Sequence, residues 1–247
     1  MNLKDKVAVV TGASGGIGAA TAHRLAAAGA RVIVGYNGRA AEAAKIAAAL
    51  PGSGHRAIRI PMLETNVIRE VAATVERDFG RCDVLVNSAG FTRMVPHHDL
   101  EALDDDLIDA VFAANVRGPF ATIRAFVPLM KKSGDAAIVN ISSVAAVTGS
   151  GSSIAYGGSK AALDTMALSL ARVLGPEIRV FTVSPAAVDT GFVPGRTTAM
   201  VERGAATTPL KRVVQADEVA QAVIAAVTHL TSSTGIVIPV DGGKLVG

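Results

Sequence analysis

Short apolar runs alternate with longer amphipathic stretches along the whole chain, and this alternation constrains the fold more than any other feature. Val7 to Val10, Arg31 to Val34, His55 to Ile60, Val84 to Val86, Ala136 to Ile141, Arg179 to Val183 and Ile236 to Val240 read as strands. Helical periodicity falls between them, at Ile17 to Ala28, Ala40 to Leu50, Val67 to Phe79, Asp104 to Met130, Tyr156 to Leu174 and Asp217 to Val227. Pro51-Gly52 and Gly80 stop two of these helices, and Gly118-Pro119 is expected to bend the longest. The strand at Val84 has the continuous apolar character of a sheet covered on both faces. Seven strands joined by helical crossovers predict an α/β, Rossmann-like, doubly wound and mostly parallel sheet with helices on both faces. No linker or shift of composition divides residues 1–247, so one domain is expected. Ligands of such sheets lie beyond the carboxyl ends of the strands, and the polar motifs fall there.

Half of the residues are hydrophobic and 18% are charged, which argues against disorder. The net charge of +3 is small, with Lys and Arg scattered, so no nucleic-acid partner is expected. The single cysteine, Cys82, excludes an internal disulfide and reads as a core residue. No apolar run approaches a membrane span, polar residues follow Met1 at once, and the expected location is the cytoplasm. The five histidines are scattered and His97-His98 has no spaced third ligand, so no metal site is expected.

The first strand runs into Thr11-Gly12-Ala13-Ser14-Gly15-Gly16-Ile17-Gly18 and then into a helix. Glycines here allow a tight turn that brings backbone N–H groups and a helix N-terminus to a pyrophosphate. No Lys-Ser or Lys-Thr follows, so nothing points to ATP hydrolysis. The second strand is expected to end beside the adenosine ribose, at Gly35-Tyr36-Asn37-Gly38-Arg39. With no carboxylate to repel a 2′-phosphate and Arg39 able to bind one, NADP(H) is favoured over NAD(H).

Tyr156 and Lys160 are four residues apart at the start of an apolar helix, so they share a face. A free phenol titrates near pH ~10. A neighbouring ammonium would lower that value toward the range useful for acid–base catalysis. Ser143 ends the stretch Asn140-Ile141-Ser142-Ser143 and can donate to a carbonyl oxygen as charge develops; by residue type Ser142 is an equal candidate.

The chain resembles the short-chain dehydrogenase/reductase family, of the compact kind, over essentially its whole length. The motifs that carry the resemblance are Thr11 to Gly18, Asn87-Ser88-Ala89-Gly90, Ser143, and Tyr156 with Lys160, in that order. The resemblance implies that Tyr156 is the general acid/base and Ser143 its partner at the carbonyl oxygen. Lys160 would tune Tyr156 and bind the nicotinamide ribose, and Asn115 would position a water that relays protons to Lys160. The cofactor would be held by Gly12, Ser14, Gly15, Gly16, Ile17 and Gly18, by Tyr36, Asn37 and Arg39, and by Asn87, Ala89 and Gly90. Pro185, Ala186, Val188 and Thr190 complete that set, with Thr190 at the nicotinamide carboxamide. Val240-Asp241-Gly242-Gly243 matches the family's C-terminal signature, and a homotetramer, or less favoured a dimer, is implied.

The sequence departs from the family pattern at several places. Gly15 stands where many NADP-dependent members carry arginine, Pro61 near the usual adenine-contacting aspartate, and Ser88 in place of a second asparagine. Ala186 replaces a glycine that could adopt positive φ, and Lys211 stands where glycine is common. The stretch 190–209, with Phe192, Val193, Arg196 and Met200, resembles the family's substrate lid. Together with Phe91-Thr92-Arg93, the pattern is nearest to reductases of 3-oxoacyl thioesters. The expected substrate is therefore a small carbonyl or alcohol compound. A sugar, steroid-like or xenobiotic alcohol is the alternative, and a non-catalytic dinucleotide-binding protein the alternative of another class.

Overall fold

A computed structural model describes residues 1–247. The strands are β1 (Val7–Thr11), β2 (Arg31–Tyr36), β3 (Arg56–Arg59), β4 (Val84–Asn87), β5 (Ala136–Ile141), β6 (Ile178–Pro185) and β7 (Ile236–Val240). They form one sheet in the order β3-β2-β1-β4-β5-β6-β7, and every pairing is parallel. The order reverses between β1 and β4, which opens a crevice at their carboxyl ends.

Alternate strand residues feed two cores. Ala8 and Val10 pack with Leu25 of α1 (Gly16–Ala27), Ala43 of α2 (Ala40–Ala49) and Val223 of α9 (Ala216–Thr228). Val7 and Val9 pack on the other face with Val71 of α3 (Thr65–Phe79), Phe126 of α5 (Gly118–Ser133) and Ala167 of α7 (Ile154–Leu174). Cys82 is fully buried and burial pushes its thiol pKa up, as suits a core residue. The buried carboxylate of Asp83 is satisfied by the Val7 N–H at 2.9 Å and by two hydrogen bonds from Arg81 at 2.6 and 2.8 Å. No helix is long and apolar enough to cross a membrane.

Three features differ from the sequence expectations. The long helix expected over 104–130 is divided into α4 (Asp105–Phe112), a π-helical turn at Ala113–Arg117, and α5. The interruption lies just before Gly118, where a Cβ would stand 2.7 Å from Met62 Cβ, so helix and β3–α3 connection meet backbone to side chain. Two short helices, α6 (Ala145–Thr148) and α8 (Thr198–Ala206), carry too little apolar periodicity to be read in advance. The helix bearing Tyr156 begins at Ile154, because the Ser153 hydroxyl accepts the Tyr156 N–H at 3.2 Å and caps its first turn.

Candidate active site

A cavity of about 960 Å³ lies over the carboxyl ends of the central strands and joins the glycine turn after β1 to the start of α7. The turn has the shape that its glycines predict. Gly12 and Gly16 have φ of +66° and +54°, and a Cβ at Gly12 would stand 2.8 Å from Ala89 Cα. A Cβ at Gly18 would stand 2.5 Å from the Gly12 carbonyl oxygen. The Thr11 hydroxyl accepts the N–H groups of Ser88 and Ala89, both at 3.1 Å, and so fastens the β4 loop to the β1 loop. No side chain caps the N-terminus of α1, which starts at Gly16 on the cavity wall. This cradle suits a pyrophosphate: close backbone, uncapped N–H groups and a favourable helix dipole.

At the β2 end the cavity is lined by Tyr36, Asn37 and Arg39. The Arg39 guanidinium lies over Gly15, 3.2 Å from where a Cβ would be, and thus occupies space left by the missing side chain. The nearby carboxylate on the wall, Glu64, is already paired with Arg59. Pro61 and Met62 are buried, while Leu63 is exposed, so this part of the wall is apolar where the family has an aspartate.

At the other end Tyr156, Ser143 and Lys160 come together. Burial pushes the Tyr156 phenol up to about 12, against a hydrogen bond with Ser143 and the positive charge of Arg196, both of which lower it. Lys160 is buried, donates to the Ile141 carbonyl at 2.8 Å, and is pulled down to about 8 by burial, with Asp164 opposing. Its ammonium stands 5.6 Å from the centroid of the Tyr156 ring. The sequence led us to expect that Lys160 lowers the phenol pKa. The groups that act on the phenol in this structure are burial, the largest, and Ser143 and Arg196, which oppose it. The choice between the two serines is decided by geometry. Ser142 turns toward α7 and donates to the Lys160 carbonyl at 3.4 Å, leaving Ser143 beside the phenol.

The remaining expected residues divide into wall and support. Gly12, Ser14, Gly15, Gly16, Ile17, Gly18, Ala89, Gly90, Pro185, Ala186, Val188 and Thr190 line the cavity. Asn87 does not: it is buried and donates to the Asn140 side chain at 2.9 Å, bracing β4 against β5 beneath the cavity floor. Asn115 also lies behind the wall. Its amide accepts the Phe91 N–H at 2.8 Å and donates to the Phe91 carbonyl at 2.9 Å and to Ser159 at 3.0 Å. The Ser159 hydroxyl in turn donates to the Tyr156 carbonyl at 2.8 Å, so Asn115 holds the β4 loop and the helix of Tyr156 in register. Its side-chain amide is thus engaged by protein through both its oxygen and its nitrogen. Ala186 has no positive φ and sits against the strand end, with its N–H on the Val240 carbonyl at 3.1 Å. Lys211 does adopt the left-handed conformation, at φ 49°.

Two wall residues were noted in the sequence only as lid composition. Phe192 stands with its ring centroid 6.1 Å from that of Tyr156. Arg196 is close enough to act on the phenol electrostatically. The Pro194-Gly195 pair is the signal that could have indicated where the chain turns back.

A family model described as enoyl-(acyl carrier protein) reductase matches residues 12–244. The chain is 34% identical to the 3-oxoacyl-[acyl-carrier-protein] reductase of Thermotoga maritima, over 100% of both chains. It is 35% identical to the cis-4-hydroxycyclohexanecarboxylate dehydrogenase of Sinomonas cyclohexanicum, over 97% of this chain and 96% of the relative. Its fold superposes with a TM-score of 0.91 on a short-chain dehydrogenase/reductase from Brucella melitensis described as glucose/ribitol dehydrogenase. That match has 28% identity and covers 98% of both chains.

Proposed function

Because the chain belongs to the short-chain dehydrogenase/reductase family of NAD(P)(H)-dependent oxidoreductases, we propose that it uses NADPH to reduce a 3-oxoacyl thioester, or a similar ketone, to a secondary alcohol. The observation that carries this reading is the meeting of Tyr156, Ser143 and Lys160 in the same cavity as the glycine cradle. The glycine turn and the N-terminus of α1 would hold the pyrophosphate, and Arg39 over Gly15 would take the 2′-phosphate. Thr190, whose Cβ is 3.1 Å from the position of a Cβ on Gly16, would close the nicotinamide end.

Bound in this cleft, the nicotinamide supplies the hydride for reduction or takes it up in the reverse reaction. Ser143 donates a hydrogen bond to the carbonyl oxygen and polarises it. Tyr156, kept protonated by burial, delivers the proton as negative charge develops on that oxygen. Lys160 beneath the ring stabilises the phenolate left behind. Asn115 positions the helix start through Ser159 without touching the substrate. Residues 190–209 act as the substrate lid over this single nucleotide-binding and catalytic domain, with Phe192 screening the phenol from water.

The subunits assemble as a homotetramer in this reading. Leu163 and Ala167 of α7 are buried, whereas Leu168 and Val173 are 47% and 67% exposed and leave apolar surface outside the core. The named activity of the Sinomonas relative favours a second reading, oxidation of a cyclic secondary alcohol at the same three residues. The deciding experiment is the initial rate of NADPH oxidation with a short 3-oxoacyl thioester, with NADH in parallel. A fast NADPH rate supports the proposal. A rate confined to cyclic or sugar alcohols would replace the substrate class.

A further inference from the structure

We propose that Arg196 reads an anionic group on the substrate, so that the preferred ketone carries a carboxylate a few bonds from the reacting carbonyl. This rests on the carbonyl-reductase reading for the identity of the reacting group, and narrows its substrate from a 3-oxoacyl thioester to a short oxo acid.

The guanidinium is presented by a built turn. Pro194 and Gly195 occupy its centre, the Arg196 N–H closes it on the Val193 carbonyl at 3.2 Å, and Gly195 has φ +81°. Proline followed by a glycine at positive φ is the pairing that a type II turn requires. Val193, at the first corner, is buried and anchors the turn. The chain is thereby reversed, and Arg196 returns to the wall that also holds Tyr156. Phe192 beside it packs toward the Tyr156 ring, so the turn is tied to the reacting end of the cavity.

Arg196 is half-buried, and none of the ion pairs or side-chain hydrogen bonds of the structure includes it. The other cations of the wall have identifiable roles or partners, except Lys244, which makes no ion pair. Arg59 pairs with Glu64, Arg212 with Glu218, and Lys160 donates to a backbone carbonyl. Arg39 lies at the far end, over Gly15. The wall carboxylates are also spent: Glu64 is paired, and Asp241 accepts the N–H groups of Gly243 and Leu245, both at 2.9 Å. The substrate end therefore holds a positive charge that no group of this chain neutralises. A planar fork of donors suits a carboxylate. Its closeness to the phenol places that carboxylate near the ketone, the arrangement of a short oxo acid.

The test compares kcat/KM for acetoacetate and for methyl acetoacetate with NADPH, in the wild type, Arg196→Met and Arg196→Lys. The wild type should prefer the acid. Arg196→Met should lower the acid-to-ester ratio by about 10–100-fold, and Arg196→Lys should restore part of it. A purely structural role would lower both rates and leave the ratio unchanged, which overturns the proposal. So does a loss confined to NADPH affinity, which would make Arg196 a cofactor ligand. Calorimetric titration with 3-hydroxybutyrate in the presence of NADP⁺ separates the two readings. Binding that depends on Arg196, without turnover of any ketone, keeps the anion site and removes the reductase assignment. Binding that is absent, or unchanged in Arg196→Met, removes the anion site.

Discussion

Arg39 lies over Gly15, its guanidinium 3.2 Å from the point where a Cβ on that glycine would stand. A single cation thus fills the space that a side chain at position 15 would occupy. Arg39→Ala is expected to raise KM for NADPH by about 10–100-fold with little effect on NADH, since a charge-assisted phosphate contact contributes about 1.5–3 kcal/mol. Steady-state kinetics with both cofactors checks this, and an equal change for both would remove Arg39 from phosphate recognition.

Tyr156→Phe deletes the hydroxyl proposed to donate the proton but keeps the ring that packs near Phe192 and over the Lys160 ammonium. Turnover should fall by about 10²–10⁴-fold while NADPH binding, followed by fluorescence, stays close to that of the wild type. Ser143→Ala should fall by about 10²-fold or more, and Ser142→Ala much less, because only Ser143 faces the phenol. Equal losses for the two serines would contradict the geometry.

The buried pair also predicts a shape for stability against pH. Lys160 titrates at about 8 in the folded chain, below its ordinary value of 10.5, so between those limits the unfolded chain holds more protons. Stability then rises with pH across that window, by at most about 1.4 kcal/mol per pH unit. Tyr156 acts in the opposite sense: its pKa is raised from 10 to about 12, and its contribution to stability is lost as pH climbs through that interval. Urea midpoints measured from pH 7.5 to 10 should climb less steeply in Lys160→Met than in the wild type. Identical slopes would mean that Lys160 is not desolvated in the folded protein.

Lys211 holds a left-handed backbone, φ 49°, in the turn where Leu210 N–H meets the Gly242 carbonyl at 3.0 Å. Glycine would relieve strain of about 1–2 kcal/mol at the cost of about 0.4–1 kcal/mol in unfolded-state entropy. Lys211→Gly should therefore stabilise the chain by about 0.5–1 kcal/mol in denaturant melts, and destabilisation would show that the lysine makes a compensating contact.

The strands were legible because a strand covered on both faces must be apolar throughout, and Val84 to Val86 or Ala136 to Ile141 can be little else. The pairing of Tyr156 with Lys160 was legible because helical spacing alone puts them on one face. Other features depend on contacts between segments far apart in the chain. The hydrogen bond from Asn87 to Asn140 depends on the register of β4 on β5, which the sequence does not display. Spacing likewise fixes that Tyr156 and Lys160 share a face, but not how deeply the phenol is buried. Arg196 stands in the sequence only as one residue of the expected lid, because its direction depends on a turn and on the depth of Val193.

The approach of Thr190 to Gly16 joins the start of the 190–209 stretch, the proposed lid, to the glycine turn after β1, the proposed nucleotide cradle. Whatever rests on the cradle bears on the lid, and whatever draws the lid inward bears on the cradle. Such linkage is reciprocal: if an occupied cradle raises affinity for a substrate by some factor, that substrate raises affinity for the cofactor by the same factor. A product that the cradle's occupant helps to hold would then hold the spent cofactor more tightly in turn.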